Sequence, residues 1–215
     1  LLAELAIAAT DLAEVLGMAI GIKFSTGLPL MYGTIITVTD TFLFMLLQRY
    51  GMRKMEAFIF VLVATIGGSF LAEMIIAKPD LASAAKGLVP SALSPGALYI
   101  AVGMIGATVM PHNLYLHSAL VQTRKIERTS AGIKKSLWYN FIDSAVALNA
   151  AFFVNAAILI LAATAFYQTG NQSVAKIEDA HALLAPLLGS KLAPILFAVA
   201  LIAAGQSSTV TGTLS

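Results

Sequence analysis

Six apolar stretches dominate the chain and restrict its folding choices. They cover residues 1–20, 30–47, 55–77, 97–122, 137–167 and 191–215. Each is close to the ~20 residues a helix needs to cross a bilayer. Within lipid, every backbone N–H and C=O must find its partner inside the protein, which favours helices for spans of this length. Composition agrees: 59% of residues are hydrophobic and 11% are charged, with mean hydropathy +0.87. A soluble domain carries about twice that share of charge. The expected fold class is therefore all-α integral membrane, as a single transmembrane domain over residues 1–215. The fifth stretch exceeds one span, so it is expected to tilt or to extend beyond the membrane. Leu1 already lies in an apolar helical pattern and Ser215 in a polar helical stretch, so the sequence reads as the middle of a longer chain.

The loops set the orientation. Residues 48–54 carry Arg49, Arg53 and Lys54. Residues 123–136 carry Arg124, Lys125, Arg128, Lys134 and Lys135. Two spans separate these loops, so they share a side, and together they hold 8 of the 13 Lys and Arg residues. Excess Lys and Arg marks the cytoplasmic face. The loops at 22–28, 78–96 and 168–190 then face outward, and Glu178-Asp179 is expected to begin a short surface helix. The absence of cysteine excludes disulfides and thiolate metal sites. No basic face interleaved with aromatics points to nucleic acid.

The fourth stretch is interrupted at Ala107-Thr108-Val109-Met110-Pro111-His112-Asn113. Pro111 has no N–H for the carbonyl of Ala107 and crowds it. Proline also pushes the residue before it, Met110, away from helical geometry. The sequence thus predicts a helix broken at mid-membrane, with a freed carbonyl on Ala107 beside the thioether of Met110. Irregular backbone at this depth survives only where it is buried in protein or lines a cavity. Broken helices of this kind form ion sites in secondary transporters. The first half runs from outside to inside, so its C-terminal partial negative charge faces the break and attracts cations. Oxygen ligands alone would suit Na⁺, Mg²⁺ or Ca²⁺, whereas a thioether tilts the site toward late transition metals. The plainer alternative is a methionine packed at a kink.

Titratable residues surround this break. His112 and His117 follow it and suit proton transfer near neutral pH. Their separation of five residues puts them about 140° apart, which is poor for joint ligation of a metal. In the first stretch, Glu4, Asp11 and Glu14 fall on one helical face. Acids at bilayer depth face a cavity or a partner and often relay protons. The alternative is static pairing, but no basic residue lies inside the spans to provide it.

Other polar positions are less telling. Asp40 and Asp143 are intramembrane and unexplained. Glu56 is expected to pair at the cytoplasmic boundary, and Glu73 to reach water near the outer end of its helix. Gly67-Gly68 and Gly103-x-x-Gly106 are expected to allow close helix packing. Gly205-Gln206-Ser207-Ser208-Thr209-Val210-Thr211-Gly212-Thr213 either bonds across helices or forms a polar helix terminus. Asn171-Gln172-Ser173 is the one formal glycosylation triplet.

Three of these motifs resemble one family. Ala107-Thr-Val-Met110-Pro-His112-Asn113 followed by Leu-Tyr-Leu-His117-Ser is similar to the sixth-helix signature of Nramp divalent metal transporters. Asp11-Leu-Ala-Glu14 resembles the family's third helix, and Gly205 to Thr213 its eighth-helix motif. The resemblance covers essentially the whole chain. It implies a LeuT-like fold of two inverted five-helix repeats, with the six segments as helices three to eight. It further implies inward transport of Mn²⁺, Fe²⁺ and related ions such as Co²⁺ and Cd²⁺ together with protons. The metal is cargo, and no cofactor or catalysis is implied. Met110 and Ala107 match the family's metal ligands. Asp11, Glu14, Glu4, His112 and His117 match its proton route, and Pro111 and Asn113 its helix break.

The family's first-helix Asp-Pro-Gly-Asn motif, which completes the metal site, does not occur in this sequence. Nor does the ninth-helix arginine that would partner the third-helix acids. Those ligands are expected from the rest of the full-length chain, and the segment alone is expected not to transport. The lipid bilayer, metal ions and protons are the expected partners. Short loops and scarce glycosylation sites point to a bacterial inner membrane. Two other classes remain open from the residues: a LeuT-like Na⁺- or H⁺-coupled symporter of organic substrates, and a membrane metalloenzyme using His112 and His117. The latter needs a third ligand and an activated water, and the sequence has no His-Glu-x-x-His pattern.

Overall fold

The computed structural model describes residues 2–47, 52–89, 92, 94–122, 124, 126–170, 174 and 176–214. At residues 3, 43–47, 52, 53, 55, 111–113 and 210–214 it describes the backbone alone. The helices are α1 (Leu2–Thr26), α2 (Leu30–Leu47), α3 (Met52–Ala77), α4 (Leu81–Lys86), α5 (Pro95–Val109), α6 (Pro111–Gln122), α7 (Ser130–Ala162), α8 (Ile177–Leu188) and α9 (Ala193–Leu214). A π-turn over Ala163–Tyr167 continues α7.

Among the described residues, four helical runs are long and apolar enough to cross a membrane: Glu4–Thr26, Glu56–Ala77, Pro95–Gln122 and Ser130–Tyr167. The expected spans at 30–47 and 191–215 are helical as α2 and α9. Their side chains at 43–47 and 210–214 lie outside the described residues. The extra length of the fifth stretch lies partly at its start, because α7 begins at Ser130.

Local chemistry sets several helix starts. The Thr129 hydroxyl accepts the Gly132 N–H at 3.0 Å and opens α7. Ser94 accepts the Ala97 N–H at 3.3 Å, and Pro95 occupies the first turn of α5, where no N–H is needed. Asp80 caps α4 by accepting the Ala82 N–H and the Ser83 hydroxyl. The Ser83 hydroxyl, with the backbone N–H groups of Ser83 and Ala82, holds this carboxyl below the ordinary aspartate range.

The packing centre is α9. It lies chiefly against α1 and α3, and α1 in turn holds α2. The α9 face is built of small residues, with Ala193, Ala198, Ala200 and Ala203 buried. Small residues let backbones approach closely where lipid, not water, is the surrounding solvent. Three glycines make the tightest approaches between helices. A Cβ on Gly205 would stand 2.6 Å from Met18 Cβ, one on Gly21 2.7 Å from Ile202 Cγ1, and one on Gly33 2.8 Å from the Ala19 carbonyl oxygen.

The glycine pairs expected from the sequence behave differently. A Cβ on Gly67 would make only ordinary contact with Val154, and one on Gly68, Gly103 or Gly106 would meet nothing within 4 Å among the described residues. The last two belong to α5, which makes at most marginal contact with the other helices. Large apolar side chains such as Phe152 and Phe153 on α7 stand exposed, as suits a surface that meets lipid or other helices.

Candidate functional site

The site is a break in one helical run. α5 ends at Val109, α6 begins at Pro111, and Met110 between them has φ 24° and ψ 93°. A positive φ on a side-chain-bearing residue is strained, at about 1–3 kcal/mol. Pro111 explains why the chain accepts it. Helical geometry at the residue before proline is disfavoured, and the Ala107 carbonyl has no proline N–H to receive. Met110 is half-buried and Ala107 is exposed. The C-terminus of α5 and the N-terminus of α6 therefore both point at Met110. An adjacent cavity of about 840 Å³ reaches from Asp80 and Ser83 near α4, along Asn155 and Thr164 of α7, to Thr108 beside the break.

His117 is exposed on α6. The side chains of Pro111, His112 and Asn113 lie outside the described residues, although their backbone opens α6. α6 touches α9 and α1, which places the helix bearing His117 against the helix bearing the three acids. Among the described residues, no group of three or more His, Asp and Glu side chains converges as a metal site.

The acids of α1 separate into two environments. Glu4 is exposed near the start of the helix. Asp11 and Glu14 are half-buried one turn apart and close enough to interact electrostatically. Ser208 of α9 faces Glu14. Asp11 Oδ1 is shut off from solvent without a hydrogen-bond partner among the described residues.

Sequence reasoning missed the continuation of this seam. Asp40 of α2 meets the buried Gln206 of α9. Asp11, Glu14, Asp40, Gln206 and Ser208 thus form a polar line where α1, α2 and α9 meet. The available signal was an intramembrane aspartate together with an amide in the Ser/Thr-rich motif. Their proximity depends on the α2–α9 contact.

Two further residues acquire explanations. Asp143 accepts a 2.9 Å ion-pair hydrogen bond from Arg124, tying the segment after α6 to α7. Glu73 is fully buried rather than reaching water, on the same side of α3 as Phe70, which packs with Leu161 of α7 and Ala200 of α9. Arg49, Lys125 and Asn171-Gln172-Ser173 lie outside the described residues, as does the side chain of Arg53.

At the C-terminal end of α1, α8 packs against α1 and α9. His181 stacks on Phe24 with ring centroids 4.0 Å apart and planes 11° apart, and Phe197 lies beyond at 6.2 Å. Lys23 and Glu178 approach to 3.7 Å alongside. Burial lowers the His181 pKa from the ordinary histidine value, partly offset by its hydrogen bond to the Pro194 backbone.

A bundle of apolar helices with an unwound segment and a polar seam has the features of a secondary transporter. The family comparison is more specific. A family model described as natural resistance-associated macrophage protein-like (Nramp) matches residues 1–215, and the chain belongs to that family. The divalent metal cation transporter MntH of Listeria monocytogenes is 53% identical over 218 residues, covering 100% of this chain and 49% of the relative. MntH of Xanthomonas campestris is 53% identical over 217 residues, with the same coverage. A crystal structure of a mutant manganese transporter from Eremococcus coleocola matches with TM-score 0.85 and 38% identity, over 99% of this chain and 47% of that chain. The chain spans about half the length of the curated relatives it matches.

Proposed function

We propose that the full-length protein containing this chain imports divalent transition-metal ions, Mn²⁺ foremost, coupled to protons. Residues 1–215 act within it as a single transmembrane unit of six spans, helices three to eight of a LeuT-like inverted-repeat fold, in a bacterial inner membrane. The observation that carries this reading is the conformation of Met110. A half-helix terminus offers oxygen and partial negative charge, which any cation would accept. A methionine held in a strained, nonhelical conformation at that terminus adds a soft donor, which favours Mn²⁺ and Fe²⁺ over Ca²⁺. The names of the relatives, divalent metal cation transporter and manganese transporter, support the same cargo.

In this reading Met110 and the Ala107 carbonyl contribute part of the metal site. First-helix Asp and Asn ligands from the rest of the parent complete it. Metal arrives from outside and meets the C-terminus of α5. Protons move through Asp11 and Glu14, with Glu4, His112 and His117 extending the route, and leave toward the cytoplasm. The seam with Asp40, Gln206 and Ser208 supports this role, since it gives the half-buried acids of α1 polar neighbours at bilayer depth.

The test is uptake by the full-length parent in proteoliposomes, with Met110 and with Met110→Ala. Metal entry and internal pH are followed together. The expected result is a sharp loss of Mn²⁺ uptake, stronger competition by Ca²⁺, and metal-dependent acidification in the unmodified protein. If neither ion's uptake responds to Met110→Ala, the residue is packing at a kink, and an organic-substrate symporter becomes the better reading.

A further inference from the structure

Glu73 is the most deeply enclosed acidic side chain among the described residues, with none of its surface exposed. Both carboxylate oxygens are shut off from solvent, and neither has a hydrogen-bond partner among the described residues. The residue lies one turn before the outer end of α3, about 6 Å along the axis from Ala77. Three residues separate it from Phe70, so the two share a face. That face meets a cluster formed by Phe70, Leu161 of α7 and Ala200 of α9, with Phe197 packed against it.

Among the described residues, no counter-charge faces Glu73 from α9 or α7, the elements packed on α3. α9 has no Asp, Glu, Lys, Arg or His between Ala193 and Thr209, and α7 has none between Ser144 and Ala162. Asp143, Lys134 and Lys135 lie nearer the other end of α7. On α8, Glu178 meets Lys23, His181 stacks on Phe24, and Asp179 is exposed. Because this chain alone already encloses both oxygens, a residue from elsewhere could reach them only by displacing α3, α7 or α9.

An isolated ionised carboxylate in such a place carries a heavy desolvation cost, and the group neutralises instead. Even the neutral acid leaves its O–H without an acceptor, a further penalty on the closed arrangement. A leucine or methionine would fill this position without either cost. The acid therefore makes the seam less stable than apolar packing would, and makes its stability depend on protons.

We propose that Glu73 is a proton-binding carboxyl, neutral while α3 is packed on α9 and ionised only when that seam opens to water. Proton binding closes the seam, and proton release accompanies its opening. The inference concerns a residue on a different helix from Met110 and does not depend on which ion the protein carries.

The linkage has a definite sign. Opened to water, Glu73 ionises as an ordinary glutamate, near pH 4.3. The closed form binds one more proton than the open form above that pH, so alkalinity favours opening. The effect approaches tenfold per pH unit while the closed form remains protonated.

The experiment uses the full-length parent, freed of any other cysteines, with a single cysteine replacing Ala200 on the buried seam. Alkylation is followed from pH 6 to 8, conditions chosen for the assay on the order of the physiological range, and normalised to a cysteine replacing the exposed Ala82. We expect the normalised rate of the Ala200→Cys protein to rise up to about tenfold per pH unit. Adding Glu73→Gln should flatten the profile, and adding Glu73→Leu should both flatten and slow it. A flat profile with Glu73 present overturns the proposal without recourse to a second variant. A steep profile that persists in either Glu73 variant overturns it too, by assigning the titration to another group. The assay contains no metal, so its failure is separate from a failure of Met110→Ala to alter uptake.

Discussion

Replacing Gly205 by alanine tests the packing centre with the smallest available perturbation. The new Cβ would stand 2.6 Å from the Cβ of Met18 and 3.0 Å from its Cα and backbone nitrogen. Carbon atoms pack best about 3.5–4.0 Å apart, so α1 and α9 must separate by about 1 Å. Two of the three opposing atoms are backbone, and no rotamer change moves them away. Overpacking of this kind costs about 1–3 kcal/mol. Alanine recovers about 0.5–1 kcal/mol through its better helix propensity. The net expectation is a loss of about 1–2 kcal/mol, or roughly a 5- to 30-fold fall in the folded-to-unfolded ratio. Gly68→Ala is the matched control, since among the described residues nothing lies within 4 Å of its Cβ position. That change should be neutral or stabilising by up to about 1 kcal/mol. The assay is reversible unfolding of the full-length parent in mixed detergent micelles, with both variants measured side by side. Equal stability of Gly205→Ala and Gly68→Ala would refute the claim that the α1–α9 seam is packed backbone to backbone.

Two further predictions follow from the helix ends. Thr129→Ala removes the acceptor for the Gly132 N–H and should cost about 1 kcal/mol, read as earlier hydrogen exchange in the first turn of α7. Burial lowers the His181 pKa, so the docked state binds fewer protons than the undocked state. Docking of α8 is then fully favourable above the ordinary histidine value of about 6.5 and weakens as pH falls through the docked value. Protection of Ile177–Leu188 from hydrogen exchange, taken relative to the intrinsic exchange rate at each pH, should therefore fall on mild acidification and lose that dependence in His181→Phe. An unchanged pH response in the variant would assign the effect to Glu178 or Asp179 instead.

The features legible in the sequence are those governed by neighbouring residues. Pro111 acts on Met110 and Ala107 through covalent geometry, so the break could be placed to the residue. The caps at Ser94 and Thr129 obey equally local rules. The faces of the apolar helices were far less legible. A helix apolar all round has no polar side to mark which residues meet a neighbour. Gly103 and Gly106 therefore looked like packing glycines, while the close approaches occur at Gly21, Gly33 and Gly205. Glu73 shows the same difficulty. Position along α3 suggested access to water, but its exposure depends on direction around the axis and on α9, more than a hundred residues later in the chain. The meeting of Asp40 with Gln206 required the same distant contact. Asp11 and Glu14 were legible as a pair because helical spacing alone sets them on one face, whereas the Ser208 opposite Glu14 was not.

Met110 also has a mechanical meaning. It is the single residue joining α5 to α6, and α5 has almost no lateral support from the other helices of this chain. Any swing of α5 relative to α6 must turn about the bonds that carry the thioether. A hinge remote from its cargo could open without disturbing the ion, but if Met110 holds the metal as proposed, pivot and grip are one residue. Each degree of rotation redirects the sulfur, and an ion held by that sulfur resists the rotation in return. Loading and motion are then geometrically inseparable, so a substitution meant to change only what is held also changes how the joint turns.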